Sequence, residues 1–278
     1  MGSVETTWEE CVNQLDVNLL ASQLASIGAG YLFITLMQGS KHLCSPNKTF
    51  NAISGCEPGE ACSTRDIPNE LFEVLRVYGI DLYLYYTGDG PHTDPIVGSK
   101  FGLTFPITFD VWPPIDNIPL DFLNKWAGVL REYSMHYGKK VKGWWIDGCY
   151  TGFGYDEPRL KILANAARAG NPDSLVSLNM GVSECVMPYT PNNDFTCGEM
   201  NDFVDIPDAR FLNGEQWHVL APLGVDNNGG WCRPGVKRSG EYMRDYIKKV
   251  NERGGVVTID VLLRRDGSID PEQLASSL

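Results

Sequence analysis

Apolar positions along this chain gather into short continuous runs instead of strictly alternating ones. Seven runs recur: AGYLFITLMQ (29–38), IDLYLYYTG (80–88), VKGWWIDGCY (141–150), SLVSLNMG (174–181), DFTCGEM (194–200), QWHVLAPLG (216–224) and GGVVTIDVLL (254–263). Strands covered on both faces read this way, as in parallel sheets. Between the runs lie stretches of helical periodicity: LDVNLLASQLASIG, IPNELFEVLRVYG, LDFLNKWAGVLREYSMHYG, EPRLKILANAARAG and SGEYMRDYIKKVNERGG. Several end in glycine, which favours the left-handed conformation that stops a helix. Strand–helix alternation over this length predicts an α/β protein, either a (β/α)8 (TIM) barrel or a doubly wound sheet. No GxGxxG motif follows a strand and no phosphate loop is present, which favours the barrel. Residues 1–14 contain no apolar strand, so the first barrel strand is expected to be atypical or missing. With no internal repeat or linker, residues 1–278 read as a single catalytic barrel domain.

Composition narrows the partners. Hydrophobic residues make up 43% and charged residues 21% of the chain, as in ordinary globular proteins. The formal charge of −12 would repel phosphates, so neither nucleic acid nor an anionic membrane is expected as a partner. No apolar stretch approaches the roughly 18 residues of a membrane span. The opening MGSVETTWEECVNQLDV lacks the basic and apolar regions of a secretory signal, which points to a cytoplasmic protein. MGSVET fits the loose myristoylation pattern, but no basic patch follows it and a single acyl chain anchors weakly. The eight cysteines form no CxxC pair and no Cys/His ligand spacing, so no metal is expected. GCEPGEAC could close Cys56 to Cys62 in an oxidising compartment, and reduced thiols are the expectation without a signal. The sequon at Asn47 carries no weight alone.

In a barrel, chemistry sits at the C-terminal ends of the strands. Polar residues recur there: Gln38, Tyr86, Asp147, Asn179, Glu199, His218 and Asp260. Any one of them could instead be a helix cap or a turn residue. Asp147 is the least suited to that reading, because Gly148, Cys149 and Tyr150 follow it and not a helix. Aromatic residues crowd the same ends: Trp144, Trp145, Tyr150, Phe153, Trp217 and Trp231. Some of them pack the core. Others suit a sugar-binding surface, since ring faces match C–H faces while carboxylates grip hydroxyls. Two carboxylates flanking a glycosidic bond supply the nucleophile and the acid/base.

VKGWWIDG resembles the strand that carries the nucleophilic aspartate in the α-L-fucosidase family of glycoside hydrolases. VNERGGVVTIDVLLRRDGSIDPEQLASSL is similar to the closing segment of that family, and CGEMNDFVDIPDARFLNGEQWHVLAPLGVDNNGGW to its acid/base stretch. The resemblance spans roughly residues 15 to 278, with the WWIDG strand and the C-terminal segment the most specific parts. It implies a barrel, Asp147 as nucleophile and Glu199 as acid/base, with Glu184 and Glu215 as rivals for the second role. Gln38, His42, Tyr86, Trp145, Tyr150, Asn179, Glu215, Trp217, His218, Trp231 and Asp260 would line the substrate pocket. The chain departs from the family where histidines hold fucose: TLMQGSKHLCSPN has Gln38 at the first polar position and His42 as its only histidine. Fucose recognition is therefore left open. The expected activity is retaining hydrolysis of a small glycoside, with no cofactor. Two alternatives stand beside it. One is a repurposed barrel (a lyase, isomerase or cyclase) using the same carboxylates as general acid and base. The other is a non-catalytic sugar binder.

Overall fold

The computed structural model describes residues 6–103, 118–227 and 229–277. The start of the myristoylation-like pattern, residues 1–5, lies outside them. The protein is mixed α/β. Its main sheet is parallel, with neighbouring strands β1 (Tyr31–Thr35), β2 (Asp81–Thr87), β3 (Val141–Asp147) and β4 (Leu175–Leu178) in chain order. Helices α1 (Trp8–Asn13) and α2 (Val17–Ser26) precede β1. α3 (Lys48–Ser54) and α4 (Ile67–Leu75) lead to β2, α5 (Pro95–Phe101) and α6 (Leu120–Tyr137) to β3, and α7 (Glu157–Ala167) to β4. Short acceptor side chains start most of them: Asp16, Asn47, Asp66, Asp94 and Asp156 each accept from a backbone N–H of the first turn.

The chain then continues through a short antiparallel hairpin, β5 (Phe211–Leu212) and β6 (Glu215–Gln216), to β7 (His218–Pro222). Helix α8 (Gly240–Glu252) connects β7 to its parallel partner β8 (Val256–Asp260), and α9 (Pro271–Ser276) closes the described chain. Residues 194–200, expected as a strand, lie between β4 and β7 but make isolated parallel bridges, Phe195 to Gln216 and Glu199 to Leu220, in place of a regular ladder. Asp194 N–H donates to Val176 O at 2.8 Å, and Leu220 N–H donates to Gly198 O at 2.8 Å. Gly198 accounts for the irregularity. Its φ is +58°, and a Cβ there would run into the backbone carbonyl of His218. Only glycine lets the backbone turn at this point, immediately before Glu199.

Side chains alternate between two faces, as strand geometry requires. On β2, Leu82, Leu84 and Tyr86 are buried toward the helices, in the same apolar cluster as Trp126 of α6. On β3, Trp144 and Ile146 join them. Trp145 points the other way and packs with Phe195 and Cys197 against Phe33, Tyr85, Met180 and Leu220. Another cluster, around Trp217, Val219, Met243 and Tyr246, seats α8 beneath β7. At the other end of the strand series, β8 meets β1 through a side chain: Tyr31 Oη donates to Val257 O at 2.8 Å and lies 2.8 Å from Thr258 Oγ1. No backbone ladder joins β8 to β1 among the described residues. Every residue of β8, and all of β1 but the exposed Thr35, is only half-buried.

Candidate active site

Parallel register sets the ends of three strands side by side. Thr87 pairs with Asp147 across β2 and β3, and Ile146 pairs with Leu178 across β3 and β4. The register carries on one residue further, where Asn179 N–H donates to Ile146 O at 2.7 Å. Asp147, Asn179 and Glu199 thus lie on successive segments at the C-terminal end of the sheet.

Four donors converge on Asp147. Its Oδ1 accepts from Gly148 N–H at 2.8 Å, Tyr150 Oη at 2.9 Å and Asn179 Nδ2 at 2.7 Å. Its Oδ2 accepts from Tyr85 Oη at 2.5 Å. Burial beside this carboxylate raises both phenols far above their ordinary range, so both remain O–H donors. Tyr85 also stacks on Trp145 with ring centroids 5.3 Å apart, and Trp145 is locked by Nε1–H donating to Cys197 O at 3.1 Å.

Glu199 Oε2 accepts from the same Asn179 Nδ2 at 2.6 Å. Both acceptor oxygens lie on one amide nitrogen, at 2.7 and 2.6 Å, so they can be no more than about 5.3 Å apart. Desolvation, with a contribution from the charge of Asp147, raises the Glu199 carboxyl from 4.5 to about 7. A carboxyl that titrates near neutrality, beside one whose oxygens are held as acceptors, can give and take a proton while its neighbour stays fixed.

Behind Asp147 stands a pair that the sequence did not single out. Asp89 Oδ2 lies 3.0 Å from His92 Nδ1, and both side chains are largely buried. The pair fits because two glycines make room: a Cβ on Gly148 would approach Asp89 Cγ to 2.7 Å, and one on Gly39 would approach His92 Cε1 to 2.7 Å. Burial alone would lower the His92 pKa, but the hydrogen bond and charge of Asp89 outweigh it and the net direction is upward. Tyr85 was also unforeseen. The expectation fell on Tyr86, one position along, which is buried on the opposite face and stacks on Trp126 at 5.0 Å.

The other expected residues scatter. Glu215 is a buried anchor for the loop at 189–193, accepting from Tyr189 N–H at 2.6 Å, Thr190 N–H at 3.1 Å and Asn193 Nδ2 at 3.3 Å. Glu184 is exposed, although Ser183 beside it donates its N–H to Glu199 O at 2.9 Å. Trp217 belongs to the core under α8. His218 is buried between Thr196 O at 2.9 Å and Thr258 Oγ1 at 2.7 Å, and burial lowers its pKa to about 4, so it is a neutral interior packing group. His42 turns to the ring of Trp8, 5.2 Å away, and Gln38 is exposed in the loop after β1. Trp231 donates from Nε1 to Asn201 Oδ1 at 3.3 Å, two residues beyond Glu199. Asp260, at the end of β8, accepts from Cys232 N–H at 2.8 Å. The structure therefore brings together Asp147, Tyr150, Asn179, Glu199 and Trp145, and carries Tyr86, Glu215, Trp217 and His218 into packing. Among the described residues no helix is long and apolar enough to cross a membrane, and no His/Cys/Asp/Glu group is arranged to hold a metal ion.

No protein-family model and no curated protein matches the sequence. Solved structures do match the fold. The endo-fucoidan hydrolase P5AFcnA of glycoside hydrolase family 107 superimposes with a TM-score of 0.74 at 14% identity, over 99% of this chain and 87% of that one. MfFcnA4, another endo-fucoidan hydrolase of that family, gives 0.77 at 14% identity over 98% of this chain, which spans 50% of the length of MfFcnA4. The α-L-fucosidase AlfC from Lactobacillus casei, in complex with α-L-fucose, gives 0.65 at 19% identity over 95% of this chain and 78% of that one. At these identities the likeness is one of fold: this chain has the fold of fucose-acting glycoside hydrolases.

Proposed function

We propose that the protein is a retaining glycosidase acting on α-L-fucosides or closely related glycosides. The observation that carries this reading is the carboxylate pair at adjoining strand ends, bound to one amide nitrogen and so no more than about 5.3 Å apart at the bonded oxygens. Retaining enzymes use carboxyl groups roughly 5–5.5 Å apart, whereas inverting ones leave room for a water between them. Asp147, rigidly oriented by Tyr85, Tyr150, Gly148 and Asn179, attacks the anomeric carbon. Glu199, protonated near neutral pH, gives its proton to the departing oxygen and then takes one from the water that releases the sugar. Tyr85, backed by the buried Trp145, sets an aromatic ring beside the nucleophile, suited to the C–H face of a pyranose. The bound fucose of one structural neighbour and the fucoidan-hydrolase titles of others support fucose as the first sugar to try.

We read the seven parallel segments β1–β4, residues 194–200, β7 and β8 as one β/α barrel forming a single catalytic unit. The seam between β8 and β1 stands where a further strand would sit. The test is hydrolysis of 4-nitrophenyl α-L-fucoside and other aryl glycosides, with the anomer of the first product read by NMR. Retention is expected. Asp147→Asn should lower turnover by at least about a thousandfold while the fold persists. Inversion, or near-normal activity in that variant, overturns the assignment.

A further inference from the structure

Asn179 was expected to contact substrate, yet it is fully buried and all its N–H donors are spent within the protein. Its backbone N–H donates to Ile146 O at 2.7 Å. Its Oδ1 accepts from Gly181 N–H at 3.0 Å. Its Nδ2 gives one bond to Asp147 at 2.7 Å and one to Glu199 at 2.6 Å. The side chain has 0% solvent exposure. Turning the amide over would set an N–H against Gly181 N–H and an oxygen against two carboxylates, so the orientation is fixed.

We propose that Asn179 is a positioning residue: its carboxamide is a rigid spacer that gives both N–H bonds to the carboxylate pair, fixing their separation and keeping two acidic groups compatible at close range, without touching substrate. Its bearing on turnover rests on the glycosidase reading, while the spacer itself does not. Two carboxyls this close repel when both are ionised, and a donor shared between them offsets part of that repulsion. The other titratable groups facing the pair come from three places. Tyr85, Asp89 and His92 lie on β2 and its following loop, Cys149 and Tyr150 follow β3, and Cys197 lies beside Glu199. The tyrosines and thiols stay protonated by burial, and Asn179 is a neutral donor that both carboxylates share.

The test needs no substrate. Protein labelled with carbon-13 at glutamate carboxyls is titrated by NMR, and the Glu199 signal is identified by its loss in Glu199→Gln. Two variants are compared with wild type: Asn179→Ala, which removes the spacer, and Asn179→Asp, which keeps its shape and so keeps the site filled. In both, the Glu199 midpoint should move upward by about one unit or more, because the ionised form loses a donor and, in the aspartate variant, gains a like charge. An unmoved midpoint in both variants overturns the proposal. A kinetic arm separates positioning from binding: Asn179→Ala should lower kcat at least tenfold with KM little changed, and a raised KM at unchanged kcat would make Asn179 a substrate contact instead. If the midpoint moves but wild type cleaves no glycoside, the spacer stands and the glycosidase reading falls. If wild type is active and the midpoint stays, the reverse holds.

Discussion

Glu199→Gln should make the protein more stable at alkaline pH, and the size of the gain follows from the site. Burial raises this carboxyl from 4.5 in the unfolded chain to about 7 in the folded one. A raised acid binds its proton more tightly in the native state. Its favourable contribution is complete below about pH 4.5 and is lost as the pH climbs through about 7. At about 1.4 kcal/mol per unit, the full loss is about 3 kcal/mol. Between about pH 5.5 and 8.5 the native state gives up nearly one proton that the unfolded state has already released, which amounts to about 2 kcal/mol. Glutamine is neutral, nearly isosteric and unaffected by pH. The stability difference between variant and wild type should therefore widen by about 2 kcal/mol over that range, while titrating groups remote from the site cancel. The assay is urea unfolding of both proteins at the two pH values. In thermal melts the same effect is a relative rise of several degrees for the variant. A difference that stays constant with pH would refute the burial argument, and with it the case for Glu199 as a proton donor near neutrality.

Tyr85→Phe keeps the stack on Trp145 but removes the 2.5 Å bond to Asp147, and should lower kcat/KM roughly tenfold to a hundredfold, whereas Tyr86→Phe, on the helix side, should leave kinetics nearly unchanged. Parallel steady-state assays of the two variants check this. Gly198→Ala should cost about 3 kcal/mol or more, since the side chain meets the His218 carbonyl in a left-handed backbone, and should reduce activity by turning Glu199 away; calorimetry and the glycoside assay together read both effects. Among the cysteines, the exposed Cys185 should react first with a bulky thiol reagent in the native state, with Cys232 slower because burial and the Asp260 carboxylate push its thiol up to about 12, an order that mass spectrometry of the labelled protein can read.

What the sequence disclosed depended on the kind of information each feature carries. Continuous apolar runs located β1–β4, β7 and β8 within a few residues, because burial on both faces is written in composition. Asp147 was visible because a carboxylate ending an apolar run has few structural uses. The face each residue takes was harder to read. In IDLYLYYTG every position from Leu82 to Tyr86 is aromatic or aliphatic, so choosing Tyr86 over Tyr85 is a choice of parity that the pattern does not mark, and one step reverses the side. The irregular segment at 194–200 was read as a regular strand, since nothing in DFTCGEM reveals that Gly198 must turn past a neighbouring carbonyl. Asp89 and His92 were passed over because their pairing depends on room left by Gly39 and Gly148, which approach only after the strands align. Glu215 and His218 looked chemical in sequence, yet each meets its hydrogen-bonding needs within the framework.

The tyrosine contact between β8 and β1 bears on how the molecule moves. Where ladders join strands, parting them breaks several cooperative backbone bonds at once. At this seam, among the described residues, the Tyr31 phenol makes the hydrogen bonds in place of a ladder, between two strands that contain no fully buried residue. Exchange of amide hydrogen for deuterium should therefore be fastest along β1 and β8 and slowest in β3, which lies between two neighbours. β2 separates this seam from Asp147 on β3, and β7 separates it from Glu199, so opening at the seam should disturb the carboxylate pair less than opening between β3 and β4 would.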